Sequence, residues 1–533
     1  MSFDLRSELW IPVILKEGTA IELSLRDCFL QGDEVRRING ELPTQSFAIL
    51  RLLLAITHDA IGFYKPADVT KAIRHGIDVQ AVLAYLDEHA DRFDLFHPER
   101  PFFQVATLRT AKDDVSGLEK LISDVPNGEP FLTTRAGRGL ERISAAEAAR
   151  WLVHAQSFDP SGIRSGAVGD PAVKGGKGFP IGPAWAGQIG GIVLHGTSLS
   201  ETIAYNLAPT PRNDLDRPVW AKPEPQTEQR QHEPKPNGPV ELLAWQSRRI
   251  RLVGDRTGVT GLVLCQGDRM TPQNRFDLEH MTAWRYSLNQ SKKHGADVYM
   301  PLKHDPNRSV WRGVPELLGR SPKTEGGKEK TLPSTTVATI GAQLYDLEDL
   351  DLTVGIEVIG MDYGGNEATV AELVHDTLDF RLSLLGEQAA DVRTMVHDAV
   401  GLADNCVWIL GTMAKNIAQA AGDFDGLDGA SEKAKLEAWS ALDAPARRWL
   451  SELQSGTDTI AAMSSWQKVL RRVLEREAAK LASSCSPAAV IGRRTKHGFM
   501  TAAKAESFFR KKLRDELPLA YPKKQQSEEH ADE

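Results

Sequence analysis

Apolar residues recur at helical spacing through the last part of this 533-residue chain, and that period limits its folding more than any other feature. Val392, Met395, Val396, Ala399 and Val400 open the pattern, which resumes at Val407, Leu410 and Met413. Leu436, Trp439 and Leu442 carry a second pattern, and Ile460, Met463, Trp466, Leu470 and Val473 a third. With a helical stretch at 488–513 this makes four helices, broken by candidate loops at 422–429 and 455–456. Helices with one apolar side and short connections bury those sides against one another as an antiparallel bundle. Residues 378–522 are therefore expected to form a four-helix bundle, followed by a disordered polar tail at 523–533.

Residues 1–377 show no such regularity and read as a large, irregular mixed domain, which makes the whole chain α+β. Segments 9–13 and 20–25, joined across Glu17-Gly18, read as a hairpin. Segment 43–61 reads as a buried helix with proline in its first turn, and 66–75 and 79–88 as two more helices. FHPERPFFQV at 96–105 is a packed connector, and Ser144 with Glu147 is a capping-box start for a helix ending near Ser157. Segments 240–253, 261–265 and 352–360 read as strands, 362–369 as a turn and 370–382 as a helix. Residues 209–239 hold eight of the 29 prolines among many charges, and read as a poorly ordered surface excursion.

Between two helix-like segments lies SGIRSGAVGDPAVKGGKGFPIGPAWAGQIGG, residues 161–191, with ten glycines and two lysines. Such a stretch is either a mobile connection or a surface that offers backbone N–H groups to a polar edge or a phosphate. A phosphate-binding P-loop fails on spacing. With Gly176-Lys177 in the glycine-lysine positions, the leading glycine falls on Pro171 and the Ser/Thr on Gly178; at Gly327-Lys328 the same test meets Pro322 and Glu329. The net charge of −8 leaves no global nucleic-acid footprint, so such binding has to come from local patches. One patch is 492–514, where eight Lys/Arg against Glu506 give 8 − 1 = +7. That run is either a solvated helix face or a seat for phosphates or an acidic partner. In the loop 125–138, Phe131 either plugs the local core or, with Arg135 and Arg138, touches nucleic acid.

No catalytic constellation emerges. GxSxG, HExxH and kinase signatures are absent. His-Asp dipeptides begin at His58, His304, His375 and His397 and suggest a metal-dependent phosphohydrolase, but ligand spacing is missing. Cys28, Cys265, Cys406 and Cys485 are isolated, which suits a reducing cytoplasm and no structural zinc. There is no run of eighteen apolar residues and no signal-peptide order at the start, so no membrane is expected.

The order of features resembles the CasA family, the large subunit of the type I-E CRISPR surveillance complex Cascade. The resemblance is carried by LWIPV at 9–13, PFFQ at 101–104, the glycine stretch before Ser198, LLAWQSRRIRLV at 242–253, the strand-turn-helix at 352–382, and the four-helix bundle. It implies a cytoplasmic, non-catalytic subunit without cofactor or metal. Its partners would be the other Cascade subunits, the crRNA, double-stranded target DNA and a recruited helicase-nuclease. It would read the protospacer-adjacent motif (PAM) in duplex DNA and promote duplex opening and R-loop formation, since guide pairing reads the long sequence. The family's glycine loop falls on Gly175, Gly176, Gly178 and Gly182, and its minor-groove lysine finger on Arg275, which keeps the charge but changes the donor geometry. Its strand-separating wedge falls on Gly365, Asn366 and Glu367, where Glu367 replaces a glutamine. Its crRNA-handle contact falls on Phe131 and Arg135. The bundle's DNA-strand contacts would come from Arg493, Arg494, Lys496 and Lys511. A metal-dependent phosphohydrolase or nuclease, and a purely structural scaffold, stay open beside this reading.

Overall fold

Ile11–Leu15 and Ala20–Leu23 pair as the expected antiparallel hairpin, and Val35–Ile38 adds a strand on the other edge of the first. Ser24 starts the short helix Leu25–Leu30, its hydroxyl accepting from the Asp27 N–H. The computed structural model describes residues 2–125, 133, 135, 137–223, 225–230, 234–318, 327, 329–347, 352–495 and 498–521. The expected tail therefore lies outside the described residues, as do Phe131 and Lys496.

Helix Pro43–Ile61 organises the first core. Phe47, Ile49, Leu53 and Ile56 are each at most 1% exposed, and the helix packs against Ala145–Phe158 and Val79–Glu88. Ser144 caps Ala145–Phe158 as expected, accepting from the Glu147 N–H at 3.1 Å.

Four expectations are corrected by the fold. Residues 209–239 are anchored where described: Trp220 is buried against Phe93, Phe102 and Phe103, Arg217 pairs with Asp59, and Lys222 with Glu241. One buried aromatic with tertiary partners outweighs the compositional bias toward disorder. The segment 240–253 begins as a short helix, Pro239–Leu243, because Pro239 suits a first helical turn and Asp216 accepts the Val240 and Glu241 N–H groups. Only Arg248–Asp255 is strand, paired antiparallel with Gly258–Gln266.

The third correction concerns 370–382, which is not a helix. Val370–Arg381 is a strand beside Thr353–Tyr363, whose other edge pairs with Gly191–His195, a strand the sequence pattern did not suggest. Buried Val370, Val374 and Leu378 are four residues apart, a spacing shared by a helix stripe and by alternate positions on one face of a strand. Pairing with a neighbouring strand decides between them. A smaller sheet places Trp284–Tyr286 between Tyr299–Pro301 and Thr331–Leu332.

The C-terminal helices are Ala390–Ala421, Leu427–Ser451, Thr459–Ser483 and Ala502–Glu516, packed together as a bundle. Trp466 is buried and its indole N–H donates to the Ala399 carbonyl at 2.9 Å. The expected helix 488–513 is interrupted. Pro487–Ile491 is a separate helical turn, and Arg493–Thr495 pairs with Gly498–Met500 before the last helix starts at Thr501. Gly492 makes the break: its φ is +77°, and a Cβ there would lie 2.2 Å from the Met500 carbonyl oxygen.

The chain divides into two compact units, Met1–Val310 with Glu316–Leu378, and Trp311–Pro315 with Asp379–Glu533. Among the described residues no single helix is long and apolar enough to cross a membrane.

Candidate nucleic-acid interface

Part of the glycine stretch is a small hairpin. Arg164–Ser165 pairs antiparallel with Lys177–Gly178, and Lys174 and Lys177 exchange two backbone hydrogen bonds, each 3.1 Å. Between them Gly175 and Gly176 have φ of +58° and +72°. Two successive residues at positive φ make a type I′ turn, which suits the twist of a two-residue hairpin and is strained for most side chains. The tip is exposed, with Lys174 and Lys177 flanking open backbone. Gly178 and Gly182 do other work. Gly178 is buried against Gln266, and the Gly182 carbonyl accepts from Arg248.

Arg248 holds the base of this stretch. It is 1% exposed, pairs through Nε with Asp159, and donates to the carbonyls of Pro160 at 3.0 Å and Gly182 at 2.9 Å. Burial lowers the pKa of its guanidinium, although Asp159 opposes that. Arg164 adds a second ion pair to Asp159 at 2.7 Å, and the Gln266 amide donates to the Gly162 carbonyl at 2.8 Å. Sequence patterns missed Arg248 as a site residue. Its signal was an arginine inside an apolar strand, since a buried cation requires a buried partner.

The turn 364–368 meets the same stretch. It joins Thr353–Tyr363 to Val370–Arg381 and is closed by the Gly364 N–H donating to the Thr369 carbonyl at 2.9 Å. Asn366 and Glu367 are exposed, with φ of +56° and +55°. Asparagine tolerates that region, whereas glutamate does so at a cost. The Ser161 N–H donates to the Glu367 carbonyl at 2.8 Å, so the candidate wedge is fastened to the start of the glycine stretch. Below it the Tyr363 hydroxyl donates to the Phe158 carbonyl at 2.7 Å, and burial pushes that phenol well above its usual range.

The remaining candidates sit in different settings. Arg275 is partly exposed and donates from Nε to the Thr271 carbonyl, 3.1 Å away in its own segment. That segment is tied to the glycine stretch by Gln188, whose amide reaches the Met270 carbonyl at 3.4 Å. Arg135 lies among Glu41, Glu147 and Asp124, which anchor it to the first core. Arg493 caps the helix Ala390–Ala421 by donating to the Ala420 and Ala421 carbonyls, while Arg494 and Lys511 are exposed.

The His-Asp dipeptides do not converge. Burial brings His58 down to about 3, and His304 is 2.9 Å from the Gly191 carbonyl. His375 meets Glu357, and His397 sits 3.5 Å from its own neighbour Asp398. Among the described residues no group of three or more His, Cys, Asp or Glu is arranged to hold a metal ion.

With this geometry in place, comparison with known proteins is decisive for the family. A family model for the CRISPR-associated protein Cse1 matches residues 4–476. The chain belongs to the Cse1 family. A crystal structure of Thermobifida fusca Cse1 is similar at 38% identity and a TM-score of 0.89, covering 97% of this chain and 99% of that one. The CRISPR-associated protein CasA/Cse1 of Thermus thermophilus is 28% identical over 493 residues, 88% of this chain and 90% of the relative. A chain of a CRISPR RNA-guided surveillance complex shares the fold at 18% identity and a TM-score of 0.64, covering 90% of this chain and 99% of that one.

Proposed function

We propose that this Cse1-family chain is the duplex-reading, non-catalytic subunit of a crRNA-guided surveillance complex. It recognises the protospacer-adjacent motif, helps to open the duplex beside it and docks the helicase-nuclease. The observation that supports this best is the hydrogen bond from Ser161 to Glu367. It couples an exposed glycine tip, suited to close approach, to an exposed turn, suited to insertion.

In this reading the Gly175-Gly176 backbone enters the minor groove while Lys174 and Lys177 meet the flanking phosphates. The minor groove carries a degenerate hydrogen-bond pattern, so backbone readout there would accept several related motifs. Arg275 supplies a further cation to the groove. Asn366 leads the turn between separating bases, and Glu367, which faces phosphates less favourably, acts through its backbone. Arg135 and Phe131 border the crRNA handle, and Arg494 and Lys511 lie on the path of a DNA strand.

The test is duplex binding by the guide-RNA complex, assembled with and without this chain, on targets that differ only in the flanking motif. Adding the chain should create flank-dependent affinity at fixed salt, and Gly176→Asp or Asn366→Ala should abolish it. Affinity that is unchanged, or that rises equally for every flank, would leave the chain a scaffold.

A further inference from the structure

The hairpin that carries the Gly175-Gly176 tip holds an apolar pair in water on its outer face. Arg164 and Gly178 stand opposite each other in its register, and both turn inward. Arg164 pairs with Asp159 at 2.7 Å, and a Cβ on Gly178 would lie 2.9 Å from the Gln266 side chain. Side chains alternate along a strand, so the neighbours of these two turn outward. Ser165 and Lys177 are exposed on that side, and continuing the register by one outward step sets Ile163 opposite Phe179, 57% and 52% exposed. The ionic anchorage of the inner face thus forces an aliphatic and an aromatic side chain, both of types usually buried, into solvent together.

Their place in the fold says what they face. Along the hairpin the pair lies one rung, about 7 Å, beyond Lys177 and Ser165 on the side away from the tip. Two residues before Ile163, the Ser161 N–H donates to the Glu367 carbonyl at 2.8 Å, where the turn 364–368 begins its own exposed surface. The apolar pair therefore sits between the backbone tip and the wedge turn. A tip that reaches base edges on the floor of a minor groove leaves what lies behind it against the walls, which are sugars, and leaves the lysines at the rims, which are phosphates. Apolar side chains are a recurrent device of proteins that bind this groove. In RNA the same groove displays the 2′-hydroxyl, and an apolar pair pressed against it would bury that hydroxyl without a partner.

We propose that Ile163 and Phe179 pack on the deoxyribose walls of the minor groove beside the motif and select DNA over RNA at that point. The proposal rests on the reading of the Gly175-Gly176 tip as a reader of duplex. It adds the sugar chemistry that the site accepts and the two side chains that impose it.

The experiment uses the guide-RNA complex assembled with this chain and two series of duplex targets. In the first the flanking motif varies; in the second the motif is fixed and its nucleotides carry deoxyribose, ribose or arabinose, the last bearing the same hydroxyl on the opposite side of the sugar, away from the minor groove. The wild-type complex should bind deoxyribose and arabinose flanks alike and a ribose flank about tenfold more weakly. Phe179→Ser and Ile163→Ser should each weaken the deoxyribose flank and narrow the sugar preference, whereas Phe179→Leu should keep most of it. Because both side chains are exposed, the thermal melts of these variants should match wild type. Gly176→Asp should abolish motif discrimination in the first series. A complex that discriminates motifs but binds ribose and deoxyribose flanks alike, or a Phe179→Ser complex with the wild-type sugar preference, overturns the proposal and leaves the reading of the tip standing. Arabinose as weak as ribose would make the preference one of duplex shape and overturns it too. A wild-type complex that discriminates no motif in the first series overturns both.

Discussion

The hairpin tip at Gly175-Gly176 and the helix Ala502–Glu516 both expose lysines, Lys174 and Lys177 on one, Lys504 and Lys512 on the other. What lies beneath them differs. Under the hairpin is a buried ionic network, with Arg248 and Arg164 sharing Asp159 and Arg248 holding the carbonyls of Pro160 and Gly182. Under the helix are Ala505, Phe509 and Leu513, all buried and apolar. An ionic scaffold fixes direction and register, because each donor has one place to go, but it fails sharply when one member is lost. An apolar scaffold tolerates change at the surface above it and degrades in proportion to the volume removed.

The sharpest test of this contrast is a pair of buried substitutions. Arg248→Met should cost about 3–5 kcal/mol, because it leaves Asp159 buried with a partner missing, and flank discrimination should fall with it. Leu513→Ala should cost about 2–5 kcal/mol through its cavity alone and leave flank discrimination in the folded fraction unchanged. Denaturant unfolding measures both, and equal losses of discrimination would break the comparison.

A smaller effect is expected at the tip. No atom lies within 4 Å of a Cβ added at Gly176, so Gly176→Ala meets only the strain of its positive φ, about 1–2 kcal/mol. A comparable Ala503→Gly in the exposed face of the last helix should cost about 1 kcal/mol through propensity. If Gly176→Ala is neutral, the turn is free to change type and the tip is not fixed.

The smallest effect is a pH dependence in the sheet that carries the wedge turn. Glu357 bridges His195 and His375 at 2.5 and 2.6 Å across three neighbouring strands. Burial would raise the Glu357 carboxyl, but hydrogen bonds from both imidazoles outweigh it and bring it down to about 2. The same bond to Glu357 raises His375. The His375 contribution is therefore full below the ordinary histidine value of about 6.5 and is lost as pH rises through its raised value. The Glu357 contribution is full above the ordinary carboxylate range and is lost as pH falls toward about 2. Melting temperature should decline modestly as pH rises above the ordinary histidine value of about 6.5, and Glu357→Gln should flatten that decline.

Legibility followed the range of the interactions. The bundle could be read because each helix writes its apolar side into its own residues, as Val407, Leu410 and Met413 do. The capped helix Ala145–Phe158 was legible for the same reason, its Ser144 and Glu147 being neighbours. Strand Val370–Arg381 was misread because its apolar spacing fits two periods, and the break at Gly492 was missed because only the approach of the Met500 carbonyl requires glycine there.

The sequence alone thus determined the mixed architecture, the helical C-terminal unit and the glycine-rich stretch, all properties of local composition and period. Only the tertiary structure decided that Gly175 and Gly176 form a hairpin tip, that Arg248 locks its base, and that Ser161 ties it to Glu367. The last two contacts join residues far apart in the chain, and no local pattern records which donor will find which acceptor until the backbone brings them together.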